Sequence, residues 1–334
     1  MNDLLKVLTR EGVLLHVSVR FWRGCKKLKA QDLGLNPDDV SERLVNLGQK
    51  RLLPKETLAP LTLIEGRVHS LVEDNTFPFL NGLAHFLPNT KLQEVTEKLD
   101  GLRREFEQAQ ALFLKDYGQH REAAQREWEA MAAKLSPDPT WLLSAIVESF
   151  PVTSKLERSF VFDVQLFQIS LPQTLSRELV TVAEQHAVIE ARQQAARQAS
   201  TKMRSDLEQF IGDCVANLRE QTAQLCEEML VSISGGKTEG VHQKTLNRLV
   251  NFIDQFKQMN FVGDDVMEQR LEQVRQELLG RSAEEYRGNH SAQQRLRAGL
   301  SALGSYARSL AKTDATPLVQ RFGELGKRKF ALAA

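Results

Sequence analysis

The residues with the clearest chemical potential are five cations threaded around an aromatic pair: Arg20, Arg23, Lys26, Lys27 and Lys29, with Phe21 and Trp22 between them. Cationic groups beside exposed aromatic rings can grip phosphates while bases stack on the rings. The same surface can dock a protein through arginine and aromatic anchors. If Phe21 and Trp22 close a core instead, the cations become a solvated or ion-paired rim. A second basic patch, Lys327 to Lys329, lies in a tail read as frayed.

Other chemistry is harder to assemble. Gly235-Gly-Lys-Thr238 resembles the end of a phosphate-binding loop, but Val231 stands where the first glycine belongs. The segment also follows a helical pattern rather than a strand, so it reads as a helix C-cap and nucleotide binding is rejected. The histidines at 16, 69, 85, 120, 186, 242 and 290 share no metal-ligand spacing, and a zinc site would need distant segments to converge. Asp264-Asp265, after Asn260-Phe-Val-Gly263, reads as an N-cap that complements a helix dipole. No G-x-S-x-G nucleophile elbow occurs. The sequence therefore offers no catalytic residue, cofactor or metal ligand, and the chain is expected not to be an enzyme.

Composition agrees with a folded binding protein. The chain is 42% hydrophobic and 26% charged, and 44 Lys and Arg against 43 Asp and Glu leave a formal charge of +1. There is no global field to hold a polyanion, so nucleic acid would need a local patch. Asp3 and Glu11 interrupt what would be a leader, and no run of about 18 apolar residues occurs. A cytoplasmic protein that does not enter membranes is expected. Cys214 and Cys226 lie twelve residues apart on one helical pattern, about 18 Å along its axis, so they cannot bridge each other. With Cys25 they read as buried small hydrophobes.

The positioning elements emerge from periodicity. Val13 to Trp22 and Phe160 to Ile169 alternate with period two and read as strands. They are expected to pair with each other as a small two-stranded antiparallel sheet. Short helices fit residues 24–88 best, with Pro60 in the first turn of one of them. From Asn89-Thr90, apolar residues recur at Leu92, Val95, Leu99, Leu102, Phe106, Ala109 and Phe113, a heptad seam. It continues through Tyr117, His120, Ala124, Trp128, Met131 and Leu135 to a stop at Ser136-Pro-Asp-Pro. A second long pattern runs from Leu171-Pro172 to about Ser232. It carries alanines at 183, 187, 191, 195 and 199, then Leu207, Ile211, Cys214, Leu218, Leu225 and Met229. Helices over Val241 to Gln258, Asp264 to Leu279 and Ser282 to Leu310 complete the chain.

The fold expected is mainly α: a long antiparallel coiled-coil arm with a small two-stranded antiparallel sheet and flanking short helices. Three segments divide it: a platform over 1–90, the second strand and arm over 91–232, and C-terminal helices over 233–334 that pack back on the arm.

The stretches Val17-Ser-Val-Arg-Phe-Trp-Arg-Gly-Cys-Lys-Lys-Leu28 with Asp32-Leu33, Leu47-Gly-Gln-Lys-Arg51, Phe106 through Phe113-Leu to Tyr117 before Trp128, and Phe160-Val-Phe-Asp-Val-Gln-Leu-Phe167 carry a resemblance. Together they resemble a family of uncharacterised bacterial, phage and mobile-element proteins, most specifically in the first strand and the W-x-G-x-K-K-L stretch. Cys25 departs from the small or basic residue expected there. Genes of that family often sit beside a MoxR-type AAA+ ATPase and a protein with a von Willebrand factor A domain. The resemblance implies a non-catalytic component of an ATPase-driven remodelling or assembly system, with those two proteins as partners. The layout itself leaves a homo-oligomer open, since the arm and the sheet-proximal surface are expected to dock a partner or copies of the chain. The rival reading is a nucleic-acid-binding factor that uses 20–29 and 327–329.

Overall fold

The computed structural model describes residues 3–33, 35–36, 40, 45–135, 139–168, 185–234, 241–286, 289–313 and 315–330. They form two compact units, each built from separate stretches: 1–15, 75–93 and 166–334 in one, 16–74 and 94–165 in the other. Mainly helical architecture is what the periodicity predicts. The elements in chain order are α1 (Asp3–Glu11), β1 (Gly12–Arg20), β2 (Cys25–Lys27), β3 (Gln49–Arg51), α2 (Ala59–Asn75), β4 (Phe77–Phe79), β5 (Ala84–Pro88) and α3 (Asn89–Leu135). They continue with α4 (Thr140–Ser149), α5 (Thr153–Glu157), β6 (Val161–Phe167), α6 (Gln185–Ser234), α7 (Gln243–Met259), α8 (Asp265–Leu278), α9 (Ala283–Tyr286), α10 (His290–Ala311) and α11 (Thr316–Phe330).

The strands predicted over 13–22 and 160–169 are hydrogen-bonded neighbours, but the sheet that holds them is four-stranded, in the order β4-β5-β1-β6. Periodicity misses β4 and β5 because each is short and carries a proline, Pro78 in one and Pro88 in the other. Proline removes a ladder donor and lowers a strand reading. A separate two-stranded antiparallel sheet joins β2 to β3. The close turn from α1 into β1 needs glycine: a Cβ built at Gly12 would lie 2.5 Å from the Leu87 carbonyl oxygen and from Phe86 Cζ.

In the first unit the β4–β5 hairpin is anchored by aromatic rings. Phe79 meets Phe210 of α6 edge-on at 4.7 Å, and Phe86 meets Phe261 at 4.7 Å. Phe261 in turn meets Phe322 of α11 at 5.9 Å. The stripe Leu207, Ile211, Cys214, Leu218, Leu225 and Met229 is buried as expected, and α6 packs along α10. Gly304 of α10 allows the close approach, since its Cβ would stand 3.0 Å from that of Cys226. Ala195 and Ala199 are exposed and do not extend this contact. The expected helix over 282–310 is broken into α9 and α10, and the tail read as frayed belongs to α11, which packs against α1.

One buried ion pair ties three helices of this unit. Arg219 Nε of α6 donates to Asp264 Oδ2 at 2.7 Å, and its Nη1 donates to the Leu310 carbonyl near the end of α10 at 2.8 Å. Asp264 Oδ1 also caps α8 by accepting from Met267 N at 3.3 Å, so the cap read from sequence has a second task.

In the second unit the seam of α3 buries Val95, Leu99, Leu102, Phe106, Phe113 and Tyr117. Phe106 packs on Phe162 of β6 at 5.7 Å and Phe113 on Phe160 at 5.8 Å. Beyond Ala124 the stripe advances by eight residues rather than seven, so Ala132 is buried while Met131, the residue expected there, is 49% exposed. The apolar stripes of α3 and α6 thus find these partners within their own units. These contacts do not confirm the expected coiled-coil arm, in which the two long helices would be each other's partners. In α2 the buried stripe is Leu61, Ile64, Val68 and Val72, with Pro60 in its first turn as expected.

All three tryptophans, Trp22, Trp128 and Trp141, lie in the second unit, so their fluorescence reports its unfolding. Phe106→Ala should lower that unit's stability by about 3–5 kcal/mol, whereas Glu107→Ala on the exposed face should change it by less than about 0.5 kcal/mol. Similar small shifts for both in a urea titration would contradict the packing of α3 on β6. In the first unit Arg219→Ala strands a buried carboxylate and should destabilise by about 3–5 kcal/mol, read by far-UV circular dichroism.

Candidate partner-docking face

The cations singled out by sequence lie at the end of β1, on β2 and just beyond it. There β2 and β3 pair in the register Cys25↔Arg51, Lys26↔Lys50 and Lys27↔Gln49. Gly24 at φ 61° and Gly48 at φ 80° adopt the left-handed conformation that leads into this hairpin. The backbone closes behind it, with Leu52 N donating to Gly24 O at 2.6 Å and Leu28 N to Gly48 O at 3.0 Å. A further tether comes from α3, whose Trp128 Nε1 donates to Arg51 O at 3.0 Å.

The aromatic pair faces inward. Phe21 is buried. The Trp22 ring sits 6.1 Å from Tyr117 and 6.4 Å from both Phe113 and Phe150. Tyr117 is fixed in turn by donating its hydroxyl hydrogen to Pro151 O at 2.9 Å, and burial raises its pKa. Phe21 is thus a core residue as expected, while Trp22 packs on the ring cluster but remains half-buried.

Arg23 is exposed but committed: its guanidinium forks onto Glu65 of α2, with Nη1 to Oε2 at 2.7 Å, and lies 3.9 Å above the Phe21 ring. The hydrogen bond to Glu65 raises its pKa further. Arg20, Lys26, Lys27 and Lys29 are exposed, and Arg51 joins them. Lys50 is directed inward to Asp32 at 2.7 Å, with 6% and 1% of the two side chains exposed. Asp32 Oδ2 also accepts from Lys29 N at 2.9 Å, which fixes the single turn Ala30–Leu33, while Oδ1 meets no hydrogen-bond donor among the described residues. Asp32 offsets the repulsion that Lys50 would exert on Lys26 directly opposite it. Sequence reasoning missed Arg51 as a member of the face and Lys50 as its buried counterpart. Their strand is only three residues long and shows no alternation.

The remaining candidate groups do not converge. Among the described residues no cluster of three or more His, Cys, Asp or Glu could hold a metal ion. The Gly235–Thr238 segment lies outside the described residues, as do the side chains of Lys327 to Lys329. Among the described residues no helix is long and apolar enough to cross a membrane. Cys214 and Cys226 are buried as expected, but Cys25 is half-buried, its thiol donating to Arg23 O at 3.3 Å. Burial pushes the Cys214 thiol well up and that of Cys226 to about 12.

A family model described as a protein of unknown function, DUF3150, matches residues 9–303. No curated protein and no solved structure matches the chain.

The thiol environments give a direct check of this face. A raised pKa keeps Cys214 and Cys226 protonated at neutral pH, and burial shields them, whereas Cys25 opens onto the hairpin. Since the thiolate is the reactive form, a disulfide reagent at pH 7 should titrate one thiol rapidly in the folded protein and three in denaturant. Rapid reaction of all three without denaturant would contradict the burial of α6.

Proposed function

We propose that this chain, which belongs to the DUF3150 family, is a non-catalytic binding and assembly component that docks a protein partner through the β2–β3 hairpin and the end of β1. The observation that carries this reading is that Phe21 is buried and the half-buried Trp22 ring is packed on Phe113, Tyr117 and Phe150. A single-stranded nucleic acid site combines a basic track with aromatic planes on which bases stack, at about 1–3 kcal/mol per base. With Phe21 in the core and Trp22 engaged by its ring neighbours, the exposed part of the run is Arg20, Arg23, Lys26, Lys27 and Lys29, and this charged rim suits electrostatic steering of a protein partner. The resemblance of the first strand to proteins encoded beside a MoxR-type AAA+ ATPase and a von Willebrand factor A domain protein makes those two the partners of choice. A cytoplasmic setting belongs to the same reading.

The exposed lysines also favour one alternative, a factor that binds duplex backbone through 20–29 and 327–329. Salt dependence separates the two. Co-expression with the MoxR-type ATPase should yield a co-purifying complex, and Lys26→Ala with Lys27→Ala should weaken it while the fold is retained. Trp22→Ala should instead destabilise the second unit, by about 3 kcal/mol. If the chain binds DNA with a steep salt slope, the double lysine variant reduces that slope by about 2, and the ATPase complex survives unchanged, the backbone-binding reading replaces the first.

A further inference from the structure

An open groove of about 1510 Å³ runs between α2 and α3 in the second unit, with Leu63, Leu71 and Leu102 on its walls. Gly66 and Gly101 also line it, and a Cβ built at either meets nothing within 4 Å. The floor is therefore open where a side chain would ordinarily stand. Leu63 is 65% exposed. It precedes Gly66 by three residues, which puts the two on neighbouring positions of one helix face. Ala59, Thr62, Gly66 and Ser70 recur every three or four residues along the groove, a row small enough to let another backbone come close. This patch thus carries a knob beside a hole.

Its charges are close to balanced. Lys55, Arg67 and Lys98 line the groove with Glu56 and Glu105. Arg67 donates to Glu105 across it, with Nη2 to Oε1 at 3.1 Å. Such a rim has little net charge with which to select a strongly acidic or basic partner. It can meet its own image with cations set against carboxylates. A two-fold interface requires this property, because each residue that supplies a contact must also find its counterpart on the same surface.

We propose that a second copy of this chain occupies the groove, with α2 packed antiparallel on α2 about a two-fold axis and Leu63 of each copy seated over Gly66 and Gly101 of the other. This contact is separate from the hairpin face and does not depend on it. Because Leu63 is exposed and the space above Gly66 is open, substitutions at both positions leave the isolated fold intact.

Sedimentation equilibrium on the full chain tests the proposal. The wild type should show a concentration-dependent monomer–dimer equilibrium. Leu63→Asp and Gly66→Arg should each be monomeric over the same range, with unchanged far-UV circular dichroism. An equimolar mixture of the two variants should recover the dimer, since one contact keeps its leucine and its hole while the other sets the introduced aspartate against the introduced arginine. A wild type that stays monomeric, single variants that dimerise like the wild type, or a mixture that stays monomeric would each overturn it.

Discussion

The seat of Trp22 decides what the second unit can offer its surroundings. The ring is enclosed by Phe113 and Tyr117 of α3 and by Phe150 at the end of α4, so one side chain joins the first strand to two helices. Aromatic pairs of this kind contribute about 0.5–1.5 kcal/mol each beyond the area they bury. Phe21 is buried and Trp22 half-buried just before the chain turns at Gly24. Past that turn the chain enters a short two-stranded sheet whose exposed groups are Lys26, Lys27, Gln49 and Arg51. The chemistry of the face is thus a consequence of packing: the core takes the rings, and the surface keeps the charges.

A different constraint governs the first unit. Arg219 and Asp264 are both buried, and an isolated charge in that setting costs several kcal/mol. Each therefore requires the other. The arginine gains a further acceptor in the Leu310 carbonyl, in the last turn of α10 where the helix dipole favours a cation. The aspartate completes the start of α8. Register along α6 is consequently fixed at one point by charge and at another by shape, where Gly304 lets α10 close on Cys226. The same closeness shields that thiol from solvent and raises its pKa.

Legibility in the sequence depends on the length of each periodic signal. The long helices, the strands near 13 and 160, and the cap at Asp264 are all readable because each repeats a pattern or occupies a known position relative to one. The β4–β5 and β2–β3 hairpins are not, since three to five residues with prolines or lysines carry too little alternation. A heptad step puts Met131 on the buried stripe, but a straight helix drifts from that repeat and Ala132 takes the position. Pairings are the least visible. Arg23 meets Glu65 at a separation of 42 residues and Arg219 meets Asp264 at 45, distances over which spacing carries no information about partners. The types of the candidate cations can be read, but the carboxylate that Arg23 meets cannot.

A formal charge of +1 conceals this sorting. Arg23, Lys50, Arg67 and Arg219 each stand against a carboxylate, while Lys26 and Lys27 of β2 are exposed. A lysine face without aromatic anchors contributes more to the rate of encounter than to the strength of a complex, and its reach shrinks to about 8 Å at physiological ionic strength. The α2–α3 groove works by the opposite physics, with apolar walls and nearly balanced charge, so burial there loses little to salt. Two surfaces of one unit therefore respond to ionic conditions differently: an encounter at the hairpin weakens as salt rises, while contact through the groove persists.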